Sequence, residues 1–192
     1  DPRDAIIRVD TTTICGTDLH ILGGDVPAME PGRVLDHEAV GTEVEIGDGV
    51  TGLLKVDRVI ASCVSSCGIC RYCREGHYGQ CLGGGGWILG HKINGVQAEY
   101  ARLPFADLST HRMPEGVNDE AGMLLSDILP TSYEVGVLNG HVRPGDVVAV
   151  VGVGPIGLSA VMTTRLYSPA HIIAVDKAES RLQAAKSLGA DI

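Results

Sequence analysis

Six cysteines frame the chemistry open to this chain. Four of them, Cys67, Cys70, Cys73 and Cys81, follow the spacing CxxCxxCx7C. Thiolates set this closely suit tetrahedral zinc or an iron–sulfur cluster. A ferredoxin-type run wants a further cysteine followed by proline soon after Cys73, and none comes. Four thiolates around one zinc leave no open coordination position, so such a site holds shape and cannot activate water. A cytosolic chain keeps thiols of this kind reduced, which argues against disulfides. The 63–81 lobe therefore reads as a structural zinc site, ahead of disulfide or redox chemistry and of iron–sulfur. Cys63 is left over, and its simplest role is a buried thiol in or beside the strand IASC. Cys15 lies far upstream, in ICGTDLH.

A second feature with chemical content is VVAVVGVGPIG, which carries Gly152, Gly154, Pro155, Ile156 and Gly157. Alone, a GxGxxG pattern is weak; here it follows an apolar strand and opens a helix. Gly152 permits the tight turn, Gly154 lets backbone approach a pyrophosphate at the helix N-terminus, and Gly157 allows close helix–strand packing. Asp176 ends the next strand, where a carboxylate accepts ribose hydroxyls and repels a 2′-phosphate. That reads as NAD rather than NADP, a preference slightly weakened by the nearby cations Lys177 and Arg181. The bland alternative is a glycine turn in a non-binding α/β unit.

The elements that must position these groups change character along the chain. AIIRVDTTTIC, VLDHEAVGTEVEIGDGV and KVDRVIASC alternate apolar and polar residues around glycine turns, and GVQAEYARLPFADL (95–108) adds a strand. These predict an antiparallel β domain with at most a short helical turn around Thr17 to Leu22. NDEAGMLLSDILPTSYEVGVL (118–138) predicts two short helices interrupted at Pro130. VVAVVG (147–152), a helix over 155–168, HIIAVD (171–176) and a helix over 177–190 then form a βαβ unit and its next helix. The first strand is of the kind buried in a parallel sheet. The boundary falls near residue 126: 1–126 is a β domain carrying the cysteine lobe, and 127–192 is an incomplete dinucleotide-binding domain. The fold class is mixed β and α/β.

Cys15, His37 and Asp127 come from separate elements, and each is a competent zinc ligand type. Read singly they are a core thiol, a packed imidazole and a helix-start carboxylate, and spacing does not join them. A resemblance does. CGTDLH (15–20), HEAVG (37–41), the cysteine lobe and VGVGPIG (151–157) occur in the order and at intervals that resemble the zinc-dependent medium-chain alcohol dehydrogenases. SDILPTSYEVG (126–136) is most similar to the branch with an aspartate as third catalytic zinc ligand, which also contains formaldehyde and related dehydrogenases.

The resemblance implies a GroES-like catalytic domain followed by the first part of a Rossmann domain. It implies two zinc ions per chain and NAD. Cys15, His37 and Asp127 would hold the catalytic zinc, Glu38 would approach it when water exchanges, and Asp18 would orient His37. Thr17 would be the hydroxyl beside the bound alcohol, His20 the proton acceptor beyond it, and Thr131 a neighbour of the nicotinamide. The implied activity is reversible oxidation of an alcohol to an aldehyde or ketone by hydride transfer to NAD. Its alternatives are a formaldehyde or polyol dehydrogenase of the same fold, or a truncated, inactive zinc-binding fragment.

Departures from the pattern stand out. Asp36 replaces the usual glycine before His37, adding a side chain and a negative charge. KVDRV (55–59) is one residue short of the usual K-V-G-D-R-V. His91 and Lys92 occupy unusual places in HKINGVQAEY.

A net charge of −9 argues against nucleic acid as a partner. No apolar run reaches membrane length and no signal-peptide pattern opens the chain. The expectation is a cytoplasmic homo-oligomer, dimer or tetramer, acting on a small alcohol or aldehyde. The start without Met and the stop after AAKSLGADI read as a fragment of a longer protein.

Overall fold

The computed structural model describes residues 1–192, which divide into two compact units, Asp1–Ser126 and Asp127–Ile192. The first is built on a five-stranded antiparallel sheet. Its strands are β1 (Ala5–Thr12), β2 (Ala39–Ile46), β3 (Arg58–Ala61), β4 (Tyr100–Leu103) and β5 (Thr110–Arg112), in the order β4-β1-β2-β3-β5. Alternation along β1 and β2 places Ala5, Ile7 and Ala39 on one face, where they meet Leu53, Val59, Ala61, Leu89, Val96 and Leu103 in the main core. Glu43 stands opposite Ile7 in the β1–β2 register and is buried with it.

Four short helices decorate this unit: α1 (Gly16–Leu22), α2 (Arg71–Arg74), α3 (Ala106–Ser109) and α4 (Asp119–Ser126). The strand expected over 95–108 is only Tyr100–Leu103, because Pro104 removes a donor and Phe105 turns left-handed at φ 54°. Helix α4 lays Met123 onto Val40 and Ile60. It comes this close because Gly122 has no Cβ; one there would sit 2.4 Å from Met113. The end of α4 is tied to the sheet: the Ser126 hydroxyl donates to Ala61 O, and Cys63 N–H donates to Ser126 O at 3.2 Å. Cys63 thus lies just past β3 and is half-buried rather than buried.

The second unit pairs β6 (Val147–Val151) in parallel with β7 (His171–Val175), flanked by α5 (Ile128–Thr131), α6 (Pro155–Thr164) and α7 (Glu179–Leu188). Two expectations change here. The helix break falls at Asp127 (φ −143°), not at Pro130. Pro130 is in the first turn of α5, where its missing N–H is not needed, and the helix runs on into a π-helical stretch, Ser132–Leu138. Nor is β6 buried: Val151 is 79% exposed, since a two-stranded sheet cannot cover both faces. The core of this unit is Val153, Val161, Ile172, Ala185 and Ala190. Gly189, at φ 115°, caps α7. No helix is long and apolar enough to cross a membrane.

Candidate active site

Cys15 precedes the first turn of α1 in extended backbone, and His37 precedes β2. What joins these two segments is Asp18, which is buried. Its Oδ2 accepts Cys15 N–H at 2.9 Å and its Oδ1 accepts Asp36 N–H at 3.0 Å. Gln97 Nε2 donates to the same carboxylate at 3.4 Å. One side chain thus fastens the backbone of both segments. The sulfur of Cys15 and a ring nitrogen of His37 lie within 4.8 Å of each other. A soft thiolate and an imidazole at that separation are donor types that could share a zinc ion.

Asp36 explains how the usual glycine is replaced. Its backbone is left-handed, at φ 69°, the conformation glycine adopts without strain. The side chain offsets this locally. Its Oδ1 accepts the N–H groups of His37 (2.7 Å) and Glu38 (3.2 Å), and its Oδ2 accepts the Thr12 hydroxyl (2.5 Å). Burial nevertheless pushes the Asp36 carboxyl above the usual range, against these hydrogen bonds. The crowding is carried by its neighbours: a Cβ at Gly90 would meet Asp36 N and O at 2.6 Å, and one at Gly95 would meet Asp36 O at 2.0 Å. Glu38 is buried and accepts the Thr13 hydroxyl.

Those two glycines press the loop 87–95 against His37's own segment. Trp87 stands edge-on to His37, ring centroids 6.3 Å apart, and His91 stacks on Trp87 at 4.2 Å. Trp87 had no place in the sequence reading; the signal available was the odd histidine at 91. On α1, Thr17 is half-buried, and three residues on His20 is exposed with Nδ1 2.8 Å from Asp25 Oδ2. Residues three apart share a helix face.

The four cysteines of the lobe come together, their sulfurs all within 4.8 Å of one another. The lobe is closed at its base by reciprocal Ser65–Gly86 backbone bonds of 3.0 and 2.6 Å. Backbone N–H groups point at the sulfurs: Leu82 at Cys70 (3.4 Å), and Cys67 and Gly83 at Cys81 (both 3.3 Å). The N–H groups of Cys73 and Leu82 bring the Cys70 thiol down to about 6. Burial raises the Cys73 thiol to about 12. Gly83 is obligatory, since a Cβ there would stand 2.5 Å from Cys67 Sγ. Four sulfurs in one cluster, with N–H donors aimed at them, fit a tetrahedral thiolate site.

In the second unit each glycine of the loop has its own reason. Gly152 is left-handed at φ 85°, a Cβ on Gly157 would stand 2.0 Å from Gly152 O, and a Cβ on Gly154 would project into open space. Pro155 is the first residue of α6, and Ile156 beside it is half-exposed. Asp176 Oδ2 accepts Val153 N–H and its Oδ1 accepts Ala178 N–H, both at 2.9 Å, so this carboxylate braces the glycine turn. The Ala178 bond leads in holding Asp176 below the usual carboxylate range, with Val153 N–H and Arg181, 3.6 Å away, adding to it against burial. Lys177 is exposed beside it. The Thr131 hydroxyl donates to Asp127 Oδ1, one helical turn back.

The first unit thus carries a thiolate–imidazole pair and a four-thiolate lobe, and the second a glycine turn between a strand and a helix. Residues 1–115 match the alcohol dehydrogenase GroES-like domain, and the chain belongs to that family. It is 49% identical to the zinc dependent alcohol dehydrogenase 2 of Streptococcus pneumonia, at a TM-score of 0.94, covering 100% of this chain and 53% of that one. It is 39% identical to an alcohol dehydrogenase of Cupriavidus necator, over 100% of this chain and 56% of that protein. A glutathione-independent formaldehyde dehydrogenase of Pseudomonas aeruginosa is 40% identical, over 97% and 49%. The chain spans about half the length of the relatives it matches.

Proposed function

We propose that the chain supplies the zinc-binding domain and the start of the cofactor domain of an NAD-dependent alcohol dehydrogenase of the aspartate-ligand branch. The observation that carries this reading is the Cys15–His37 pair, separate from the cysteine lobe and fastened by Asp18. A lobe alone is a structural clamp; a second donor set of mixed type is what an open zinc site needs. Asp127 is the third ligand. Its support is its place one peptide bond from Ser126, which is tied to β3, and the Thr131 hydroxyl that fixes its carboxylate.

Cys15, His37 and Asp127 would hold a zinc ion, which when bound would supply Lewis acidity toward an alcohol oxygen, and a bound NAD would supply the hydride acceptor. The chain's own groups manage the proton. Thr17 is the hydroxyl that takes it from the alcohol. His20 receives it at Nε2, because its Nδ1 faces the Asp25 carboxylate. Glu38, held by Thr13, is the acidic group next to His37. Asp176 offers its remaining lone pairs to the adenosine ribose and disfavours a 2′-phosphate, with Lys177 and Arg181 at its side. Gly152, Gly154, Pro155, Ile156 and Gly157 cradle the pyrophosphate at the start of α6, and Thr131 borders the nicotinamide. The 40% identity to a formaldehyde dehydrogenase makes formaldehyde the second substrate to assay.

The test is zinc content by mass spectrometry together with NADH formation on a panel of primary, secondary and polyol alcohols and formaldehyde. The expected result is two zinc ions per chain and turnover with NAD. One zinc per chain, or two zincs and bound NAD without turnover of any substrate, would overturn the reading.

A further inference from the structure

In the first unit a cavity of about 450 Å³ lies between the segment leading to His37 and the start of β4. Arg33 and Arg102 line it, with Asn94, Tyr100, Val34 and Ile93, and no aspartate or glutamate does. Two guanidinium groups in one cavity run against the net charge of −9 that the chain carries. The fold uses neither of them fully. The Arg33 side chain is 20% exposed; its Nη2 donates to the Glu30 carboxylate, which is 77% exposed, and its Nε is buried without a partner. An ion pair with one end in water is worth little. Arg102 is half-exposed and donates to Asp4 Oδ2 through Nη1 alone, at 2.7 Å. Asn94 accepts Val34 N–H at its Oδ1 (3.2 Å), which leaves its amide nitrogen to donate.

We propose that this cavity is a binding site for a small organic anion, a carboxylate or phosphate monoester, held by Arg33 and Arg102 with its apolar end on Val34 and Ile93. The inference goes beyond the dehydrogenase reading and does not depend on it. Guanidinium groups match the planar oxygens of both anion types, and their charge is spread over the whole group, so an anion in the cavity is attracted even where one nitrogen is covered. The walls are already fixed to each other. Gly95 N–H donates to Val34 O (2.8 Å), Val96 N–H to Asp36 O (3.1 Å) and Gln97 N–H to Leu35 O (3.2 Å). A cavity with walls laced in this way needs little ordering when a ligand enters.

The experiment is calorimetric titration of the protein as its gene encodes it, loaded with zinc, with methyl phosphate in one arm and propionate in the other, at constant ionic strength. The expected result is saturable binding of one anion per chain and a rise of the unfolding midpoint with the same anion. The arm that binds more tightly identifies the headgroup. Arg33→Gln removes a charged donor whose only protein partner is the exposed Glu30, so the fold is kept, and it is expected to weaken binding by about 10- to 150-fold. Arg33→Lys keeps the charge without the fork and is expected to fall between the two. Arg102→Gln should weaken binding as well. Arg8→Gln lowers the net charge equally at an exposed arginine outside the cavity, and is expected to leave binding unchanged. An anion held instead at a zinc ion or at the glycine turn of the second unit would bind Arg33→Gln as tightly as the parent. That result overturns the inference. So does an equal loss in Arg8→Gln, or the absence of both saturable binding and any midpoint rise in either arm. None of these outcomes touches the dehydrogenase reading.

Discussion

Replacing Glu43 by glutamine is expected to change how stability depends on pH, and the size of the change can be worked out. Glu43 lies in β2 opposite Ile7, 1% exposed on the core face, with neither carboxyl oxygen hydrogen-bonded. Burial first, and then the negative charge of Asp57, push its carboxyl from an ordinary 4.5 to about 7. Below pH 4.5 the group is protonated whether the chain is folded or not, and it contributes nothing to the pH dependence. Between 4.5 and about 7 the unfolded chain releases this proton while the folded chain keeps it, so stability falls as pH rises. Above about 7 the loss is complete. At about 1.4 kcal/mol per pH unit, the interval comes to about 3 kcal/mol. Glutamine binds no proton in either state, so Glu43→Gln removes this contribution and little else of the side chain's shape. The assay is urea unfolding of the zinc-loaded protein, followed by Trp87 fluorescence, for both proteins at pH 5, 6, 7 and 8. The variant's stability minus that of the parent should climb by about 2.5 kcal/mol across the series at equal m-values, the rest of the loss lying below pH 5. Other titrating groups, the lobe thiols among them, are common to both proteins and cancel. A difference that stays level from pH 5 to pH 8 would refute the reasoning.

Val56 adopts φ 67° on the exposed turn before β3, a conformation that costs a β-branched residue about 1–2 kcal/mol, so Val56→Gly should raise the unfolding midpoint of the first unit. Asp36→Gly should do the reverse. It relieves the same kind of backbone strain, but abandons the N–H groups of His37 and Glu38 and the Thr12 hydroxyl, for a net loss of about 1–2 kcal/mol in denaturant unfolding. In the second unit, Gly157→Ala drives a Cβ to 2.0 Å from Gly152 O and should destabilise by about 1–3 kcal/mol while weakening NADH binding measured by fluorescence. Cys70→Ser should release the lobe's zinc to a chromophoric chelator faster than the parent does, with the thermal midpoint of the first unit falling.

The legible parts of this molecule were those whose physics is local. A thiolate cluster declares itself by spacing, and a glycine turn after an apolar strand declares itself by period, so the lobe and the loop at Gly152 were readable before any fold was known. The Cys15–His37 pair was not readable from spacing, because nothing between residues 15 and 37 encodes their approach. What brings them together is Asp18, and an aspartate inside CGTDLH looks like any residue of a helix's first turn until its two oxygens are seen to hold two separate backbones. The departures at positions 36 and 56 make the same point with opposite outcomes. At 36 a side chain stands where the pattern has glycine, and at 56 the glycine that would follow is missing, yet both residues take a left-handed backbone. Asp36 has a carboxylate of the right length to recover three donors, whereas Val56 has only methyl groups and recovers none. The hydrogen-bonding capacity of the side chain separates a departure the site has absorbed from one that the turn merely tolerates.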